Sequence, residues 1–313
     1  MGINQESHPF QHPFLQCWGL SVGEASCFIL FLLSNAFKKR KETHEDPKKK
    51  DCSSFSPFLF IPAAMLHLTS RILIFIGLLL TSASSFQMLS GCNLIFTCIF
   101  SRIFLKKSLP WYKWFAIFVI TSGVVIVGVA DLLMENGNDS SCESEDKDPV
   151  LGDAFVVMGM LFWAGQMTYE EKFVKKFNIK PLNAVGLEGS FALSILTALL
   201  VNFYFIPPYF NILDGDRMED ALDVFFQLGN NPILLVSFIG TTLALCCSLI
   251  AGVSITRNLS AIHRIIIDSG RSIAVWAASL ALGWQCFMWL QILGFLVMSV
   301  GVLIFNNILI IGN

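Results

Sequence analysis

The chain has 313 residues, of which 54% are hydrophobic and only 14% are charged, with a formal net charge of −2 at pH 7. A soluble domain carries roughly 25% charged residues, so the composition excludes an ordinary soluble globular protein. The near-neutral net charge provides no basic surface for nucleic acid, and we expect no nucleic-acid partner.

Apolar stretches of membrane-spanning length follow one another along the chain. Each can cross roughly 30 Å of hydrocarbon as a helix of about 20 residues. Their approximate bounds are 14–37, 57–80, 83–105, 111–132, 151–171, 184–207, 232–256, 260–282 and 287–309. The sequence therefore predicts an all-α, multi-pass membrane protein, a helical bundle with the lipid membrane as its first partner.

Basic residues mark the loops that follow the odd-numbered spans. Most of the 21 lysines and arginines lie in the loops after the first, third, fifth and seventh spans, whereas the opposite loops at 131–148 and 214–223 are acidic. Basic loops stay in the cytosol, so we predict a cytosolic C-terminus and an N-terminus on the far side. Asn138 begins a sequon in an acidic far-side loop, which makes it a glycosylation candidate.

The chain also repeats itself at a fixed spacing of 178 residues. Between about 60 and 126 this spacing joins similar residues, such as Trp111 with Trp289 and Gly123 with Gly301. An odd number of spans separates the partners, so the two repeats run in opposite directions across the membrane. Inverted repeats are typical of secondary transporters, whose site lies where the halves meet.

The repeat sets the expected domain organisation. It predicts a first repeat at 1–132, an acidic non-cytosolic loop at 133–150 and a second repeat at 151–313. By the same spacing, the partner of the 151–171 span falls before Met1. We therefore expect a further helix ahead of this sequence, completing ten helices as two five-helix repeats, and a true nine-helix protein is the alternative.

The most distinctive polar set inside a predicted span consists of Arg264, Asp268 and Arg271. Spacings of four and three place these side chains on one helical face. Each charge in hydrocarbon costs about 2.5–3.5 kcal/mol, so the row indicates an internal, wet cavity. Asp268 can bridge both arginines and leaves about one positive charge over. Two interpretations stay open, an anion-binding wall and an ion-pair lock between helices.

The equivalent positions of the first repeat are polar but uncharged. Ser90 and Asn93 correspond to Asp268 and Arg271, and Gln87 lies on the same segment. These three residues either shape the pocket opposite the charged row or join helices through hydrogen bonds.

Further titratable side chains lie deep in other spans. Glu24 and Glu188 each lie in the second helix of a repeat, counting the expected first helix. They either balance arginine charge and relay protons, or serve as structural partners of Arg71 or Arg264. His67 shares a helical face with Arg71, and a histidine titrates near neutral pH, which suits proton coupling.

Two neighbouring carboxylates, Glu170 and Glu171, lie at the predicted cytosolic edge of the membrane. We expect them to pair there with Lys172 or Lys175, which follow on the same helix.

The sequence offers no arrangement typical of an enzyme or a metal site. Asp214-Gly215-Asp216 resembles a metal-nucleotide motif of glycosyltransferases, but helix capping explains it better. The nine cysteines show neither metal-ligand spacing nor a disulfide framework. We expect no catalytic activity, no metal and no cofactor.

Several segments of the chain carry a family resemblance. They are FQHPFLQ (10–16), TSASSFQML (81–89), EEKFVKKFNIKPLNAVGLEG (170–189), EDALDVFFQLGNNP (219–232), SLALGW (279–284) and LQILGF (290–295). They resemble the drug/metabolite transporter superfamily, in particular subfamily F of the solute carrier 35 family. The resemblance implies ten helices in two inverted repeats and an intracellular membrane, favouring the lysosome or another endomembrane, with the mitochondrion as alternative.

The chain departs from that family's pattern at several points. His67 stands where the resemblance implies an acidic residue, and Ser90 where it implies an arginine. The family's first helix and long cytosolic tail are also missing from the sequence.

We therefore predict a secondary transporter of a small, anionic organic solute that works by alternating access. The surplus arginine favours an anion. The alternative is a non-transporting membrane scaffold or regulator built on a transporter fold, which the departures from the family pattern favour. A homodimer or a membrane-protein partner is compatible with either function.

Overall fold

The computed structural model describes residues 13–41, 55–81, 85–86, 89–108, 110–136, 149–205, 221–265, 267–268, 278 and 289–305. These residues are helical apart from short turns, and no β-strand occurs among them. The prediction of an all-helical protein is confirmed for this part of the chain.

Nine α-helices of defined bounds make up the described part of the fold. They are α1 Pro13–Lys41, α2 Ile61–Leu80, α3 Cys92–Phe104, α4 Trp111–Asn136, α5 Pro149–Phe177, α6 Pro181–Phe205, α7 Ala221–Asn230, α8 Pro232–Asn258 and α9 Trp289–Phe305. A 3₁₀ turn, Pro57–Phe60, leads into α2. Residues 261–265 form a further short helical segment after α8.

Local chemistry explains several helix ends. Helices α1, α5, α6 and α8 each begin with proline, which fits the first helical position because its missing N–H needs no partner there. Asn231 caps α8, its Oδ1 accepting the backbone N–H of Ile233 at 3.1 Å and of Leu234 at 3.3 Å. Asn178 follows α5 at a φ of 50°, the left-handed conformation that asparagine tolerates after a helix.

Five helical stretches in the described residues are long and apolar enough to cross a membrane. They are Phe14–Phe37, Pro57–Leu80, Val150–Phe177, Pro181–Asn202 and Pro232–Asn258. Shorter apolar helices lie at Cys92–Phe104 and Ile292–Phe305. Because lipid offers the backbone no hydrogen-bond partner, such segments stay helical throughout.

Two predicted spans differ from the structure in detail. The predicted 83–105 span is interrupted by a turn at Ser90 and Gly91, and its continuous helix begins only at Cys92. Of the predicted 260–282 span, the structure describes 261–265, 267–268 and residue 278. The acidic loop is described only at its two ends.

The chain divides into two compact units. The first comprises Met1–Leu68 and Phe173–Asn258, and it contains α1, α6, α7 and α8. Its core includes Phe60, Val174 and Leu187, which pack together with further apolar side chains of these elements.

Close backbone approach holds α1 against α6 in this first unit. A Cβ added to Gly186 would overlap the backbone of Phe28, and one added to Gly189 would overlap Glu24 and lie 2.7 Å from the backbone nitrogen of Ala25. Glycines at such a crossing let two membrane helices pack backbone to backbone.

The second unit comprises Thr69–Lys172 and Leu259–Asn313. Its largest core cluster joins α3, α4, α5, the 261–265 segment and α9 through residues such as Leu94, Ile120 and Met298. The outer end of α2 packs on α5, where Thr81 Oγ1 donates a hydrogen bond to Asp153 Oδ1 at 2.7 Å.

Helices α4 and α9 pack against each other through one glycine from each. A Cβ on Gly123 would lie 2.7 Å from the side chain of Met298, and a Cβ on Gly301 would lie 2.6 Å from the side chain of Ile120. Gly123 and Gly301 are 178 residues apart, and so are Ile120 and Met298. The two contacts are therefore reciprocal under the spacing of the sequence repeat.

Candidate functional site

The second unit buries a carboxylate on α5 beside an arginine of the 261–265 segment. Arg264 Nη1 donates to Glu170 Oε2 at 3.4 Å, and Gln166 Nε2 donates to the same oxygen at 3.0 Å. Glu170 is 1% exposed and Arg264 is 4% exposed. A guanidinium stays charged at every physiological pH, so Arg264 neutralises Glu170 permanently.

The neighbouring carboxylate, Glu171, joins two other segments of the same unit. Lys107 Nζ donates to Glu171 Oε1, and the backbone N–H of Ala261 donates to Glu171 Oε2 at 3.2 Å. A carboxylate at the first turn of a helix also meets the positive end of the helix dipole. We call Glu170, Glu171, Gln166, Lys107 and Arg264 the carboxylate-pair site.

The backbone around the carboxylate-pair site brings its members together. Lys106 has a φ of 52°, and the backbone N–H of Lys107 returns to the carbonyl of Ser101 at 3.3 Å. This left-handed turn ends α3 next to α5. Ser260 caps the 261–265 segment, its Oγ accepting the backbone N–H of His263 at 3.3 Å.

The charged row predicted from the sequence is described only in part. Arg264 is buried against Glu170, Asp268 is half-buried, and Arg271 lies outside the described residues. We expected Arg264 to be satisfied along its own helix, but a carboxylate of another helix contacts it. Glu170 thus supplies a negative charge that the sequence argument had not assigned to the row.

The expected partners of Glu170 and Glu171 were lysines of their own helix, and the structure gives them cations from other segments. Both carboxylates lie on the inward face of α5, with Met167 and Val174, which are fully buried. That apolar spacing was present in the sequence and could have indicated burial. The identity of the partners, Arg264 and Lys107, had no sequence signal.

The uncharged positions of the first repeat lie at the start of α3. Asn93 is buried, and its Oδ1 accepts a hydrogen bond from Thr97 Oγ1 at 3.4 Å. Ser90 is half-buried in the turn before α3, and Gln87 lies outside the described residues. Asn93, Thr97 and Ser101 recur every fourth residue, so α3 presents a buried polar stripe.

The first unit contains a different pair of buried polar side chains. His67 Nδ1 on α2 lies 3.7 Å from Glu188 Oε2 on α6, and both residues are buried. Glu24 on α1 is also buried, beside the crossing with Gly189. The sequence had singled out all three residues, and the structure places them in one compact unit.

No metal centre is found in the described ranges, where no group of three His, Cys, Asp or Glu side chains could hold an ion. Six cysteines there are free thiols, among them Cys92 and Cys98 on α3. The glycosylation candidate Asn138 lies outside the described residues.

Long apolar helices that bury charged side chains only beside polar partners define a multi-pass integral membrane protein. The family model described as nucleotide-sugar transporter matches residues 27–204. Solute carrier family 35 member F6 of Homo sapiens is 41% identical over 305 residues, covering 97% of this chain and 80% of that protein.

Relatives with named substrates are more distant. The UDP-galactose transporter of Schizosaccharomyces pombe is 28% identical over 197 residues, 61% of this chain and 50% of that protein. The UDP-N-acetylglucosamine/UDP-N-acetylgalactosamine transporter nstp-4 of Caenorhabditis elegans is 27% identical over 157 residues, 48% of this chain and 45% of that protein. This chain belongs to solute carrier family 35, within the nucleotide-sugar transporter family, and the resemblance seen in its sequence is confirmed.

Proposed function

We propose that this chain is a secondary transporter of a small, phosphate-bearing organic anion and works by alternating access. Its membership of a transporter family carries the proposal. Alternating access rocks two inverted repeats around a fixed central site. The proposal includes the predicted repeat, with an orientation that places the C-terminus in the cytosol and the N-terminus on the far side.

Reciprocal packing of α4 and α9 supports the repeat. Three contact positions on one helix correspond to three on the other at a spacing of 178 residues. The pairs are Ala116 and Gly294, Ile120 and Met298, and Gly123 and Gly301. A chance similarity in apolar composition would not make the contacting positions correspond in this way.

The proposed substrate class combines the names of relatives with the charged row. Two relatives are named as transporters of UDP-sugars, which carry a diphosphate. Arg264 is committed to Glu170, and Asp268 lies one turn before Arg271 in sequence. A guanidinium shared with one carboxylate retains N–H donors, so Arg271 is the residue we assign to the phosphate.

The opposite wall of the proposed site is neutral. Ser90 and Asn93 supply a hydroxyl and an amide near the start of α3, and Gln87 is included on sequence grounds. Neutral donors and acceptors of this kind suit the hydroxyl groups of a sugar or a nucleoside.

Uptake into proteoliposomes tests the proposal. The purified chain is reconstituted and given radiolabelled UDP-, GDP- and CMP-sugars, with free monosaccharides as neutral solutes. We expect uptake of at least one phosphate-bearing solute and of none of the monosaccharides. Arg271→Lys keeps the charge but loses the two-pronged geometry, so KM should rise about tenfold.

The matched control for that substitution is Arg257→Lys. Arg257 lies at the end of α8 and donates to Asn178 Oδ1 at 2.7 Å, in the other unit. Its substitution should leave KM unchanged. A folded protein that takes up no solute of the panel contradicts transport and favours the scaffold alternative.

The compartment and the partners follow from the same proposal. We propose an endomembrane, with the lysosome favoured over the mitochondrion, and leave a homodimer or another membrane protein as the partner to be sought. Fluorescence co-localisation decides the compartment. Glycosylation reporters fused to each end decide the orientation, because a modified C-terminal reporter would contradict it.

A further inference from the structure

Three helices of the first unit each place a buried titratable residue in their apolar part. Glu24 lies on α1, His67 on α2 and Glu188 on α6. Glu188 is the sole charged residue in the sequence of α6. Isolated ionisable residues inside membrane helices are expensive, so their presence points to a function.

Geometry relates the three side chains. The distance of 3.7 Å between His67 Nδ1 and Glu188 Oε2 is long for a hydrogen bond but short for an electrostatic contact. Gly189 follows Glu188 directly, and a Cβ at Gly189 would overlap the Cβ of Glu24. The two carboxylates therefore arise from neighbouring points of the α1–α6 crossing.

The charges of this group do not balance without a proton. Glu24 and Glu188 contribute two negative charges, and Arg71, one turn beyond His67 on α2, contributes one positive charge. With a neutral imidazole the sum is −1, and with a protonated imidazole it is zero. Hydrocarbon penalises a net charge by about 2.5–3.5 kcal/mol on the gentlest scale, so the neutral sum is favoured.

Other charges on the elements packed around the pair lie near helix ends. Helix α8 contributes Arg257, which donates to Asn178, and the thiols of Cys246 and Cys247. Lys175 and Lys176 lie in the last turn of α5. None of these is a carboxylate that could replace Glu188 beside His67.

We propose that His67, with Glu188 and Glu24, binds one exchangeable proton, and that this proton is the coupling ion of transport. An N–H bond forms on the imidazole when the proton arrives from one side of the membrane, and it breaks when the proton leaves on the other. The charge of the group alternates between zero and −1. Proton binding stands on the contacts above, whereas coupling rests on the proposed function.

Proton binding is tested on the purified full chain without any solute. Histidines are labelled with ¹³C at Cε1, and the His67 signal is identified by its loss in His67→Gln. We expect this signal to titrate between pH 5 and 8. Replacing the carboxylate in Glu188→Gln should move the midpoint by about one pH unit or more.

His263→Gln is the matched control for labelling and folding. His263 is exposed in the other unit, with Nδ1 2.6 Å from Ser260 Oγ. The substitution should remove one signal and leave the His67 titration in place. A His67 signal in wild type that does not change from pH 5 to 8 overturns the proposal, and so does a midpoint that ignores Glu188→Gln.

Coupling is tested in proteoliposomes with the radiolabelled sugar-nucleotide panel. An imposed pH gradient should change the initial uptake rate several-fold in wild type and in His263→Gln, whereas uptake by His67→Gln should no longer respond to the gradient. A gradient response that survives in His67→Gln overturns coupling through this group. If no solute of the panel is transported, the proposed function fails, and the wild-type titration still decides whether His67 binds the proton.

Discussion

The carboxylate-pair site and the His67–Glu188 contact solve the same problem with different partners. In the second unit, Glu170 faces Arg264 and Glu171 faces Lys107, so each carboxylate has a permanent cation. In the first unit, Glu188 faces an imidazole whose charge depends on a proton. The difference teaches that the first site is built for constant charge and the second for a charge that changes.

The carboxylate-pair site also joins more of the chain. It connects α5 to the turn after α3 and to the first turn of the 261–265 segment. Buried ion pairs contribute little net stability compared with apolar packing, but removal of one partner is costly. We therefore interpret this site as a fixed junction that orients the helix carrying the charged row.

The largest effect is expected when the carboxylate-pair site loses its arginine. Arg264→Leu leaves Glu170 buried beside Gln166 alone and should lower the free energy of unfolding by about 3–5 kcal/mol. Unfolding in mixed detergent–SDS micelles measures this change. Adding Glu170→Gln removes the unpaired charge and should restore most of the loss, and a double variant as unstable as the single one would contradict a charge effect.

Removal of the second cation should have a smaller effect. Lys107→Met should cost about 1.5–3 kcal/mol, because Glu171 keeps the N–H of Ala261 and the side chain of Lys107 is 32% exposed. Lys107→Arg is the charge-preserving control and should stay near wild type. Equal losses in both variants would indicate that packing, rather than charge, fixes this contact.

The α1–α6 crossing can be broken independently of charge. Gly189→Ala places a methyl group against Glu24 and should cost about 1–3 kcal/mol by the same unfolding assay. Gly240→Ala on α8 is the matched control, since nothing lies within 4 Å of its added Cβ. If the two variants are equally stable, the close crossing is not a feature of the folded protein.

The smallest effect separates the two sites by its dependence on pH. Glu188→Gln should cost about 1 kcal/mol at pH 5.5, because the contact with His67 is an ion pair only while the imidazole carries a proton. The cost should fall as the pH rises to 8. The cost of Arg264→Leu should be the same at both pH values, since a guanidinium does not titrate in this range.

Much of the fold followed from hydropathy alone. The predicted spans at 14–37, 57–80 and 232–256 correspond to long helices within a few residues. The interruption before α3 was missed, although Gly91 lies at that point. A glycine permits a turn without requiring one, so its effect depends on the packing around it.

The candidate site was only partly predictable. Glu24, Glu188 and His67 stood out because a lone ionisable residue in an apolar span is conspicuous. Glu170 and Glu171 were assigned to the membrane edge because lysines follow them closely in sequence. The preference for neighbouring residues failed there, since the inward face of α5 removes both carboxylates from water.

The sequence by itself determined that this chain is a bundle of membrane-spanning helices, because apolar segments in lipid must satisfy every backbone hydrogen bond internally. It also selected most of the ionisable residues that the bundle would have to accommodate. Only the tertiary structure decided their partners. Glu170 and Arg264 are 94 residues apart in the chain, and Lys107 and Glu171 are 64 apart. Pairs so distant form because burial leaves each charge no partner in water, and packing decides which opposite charge lies within reach.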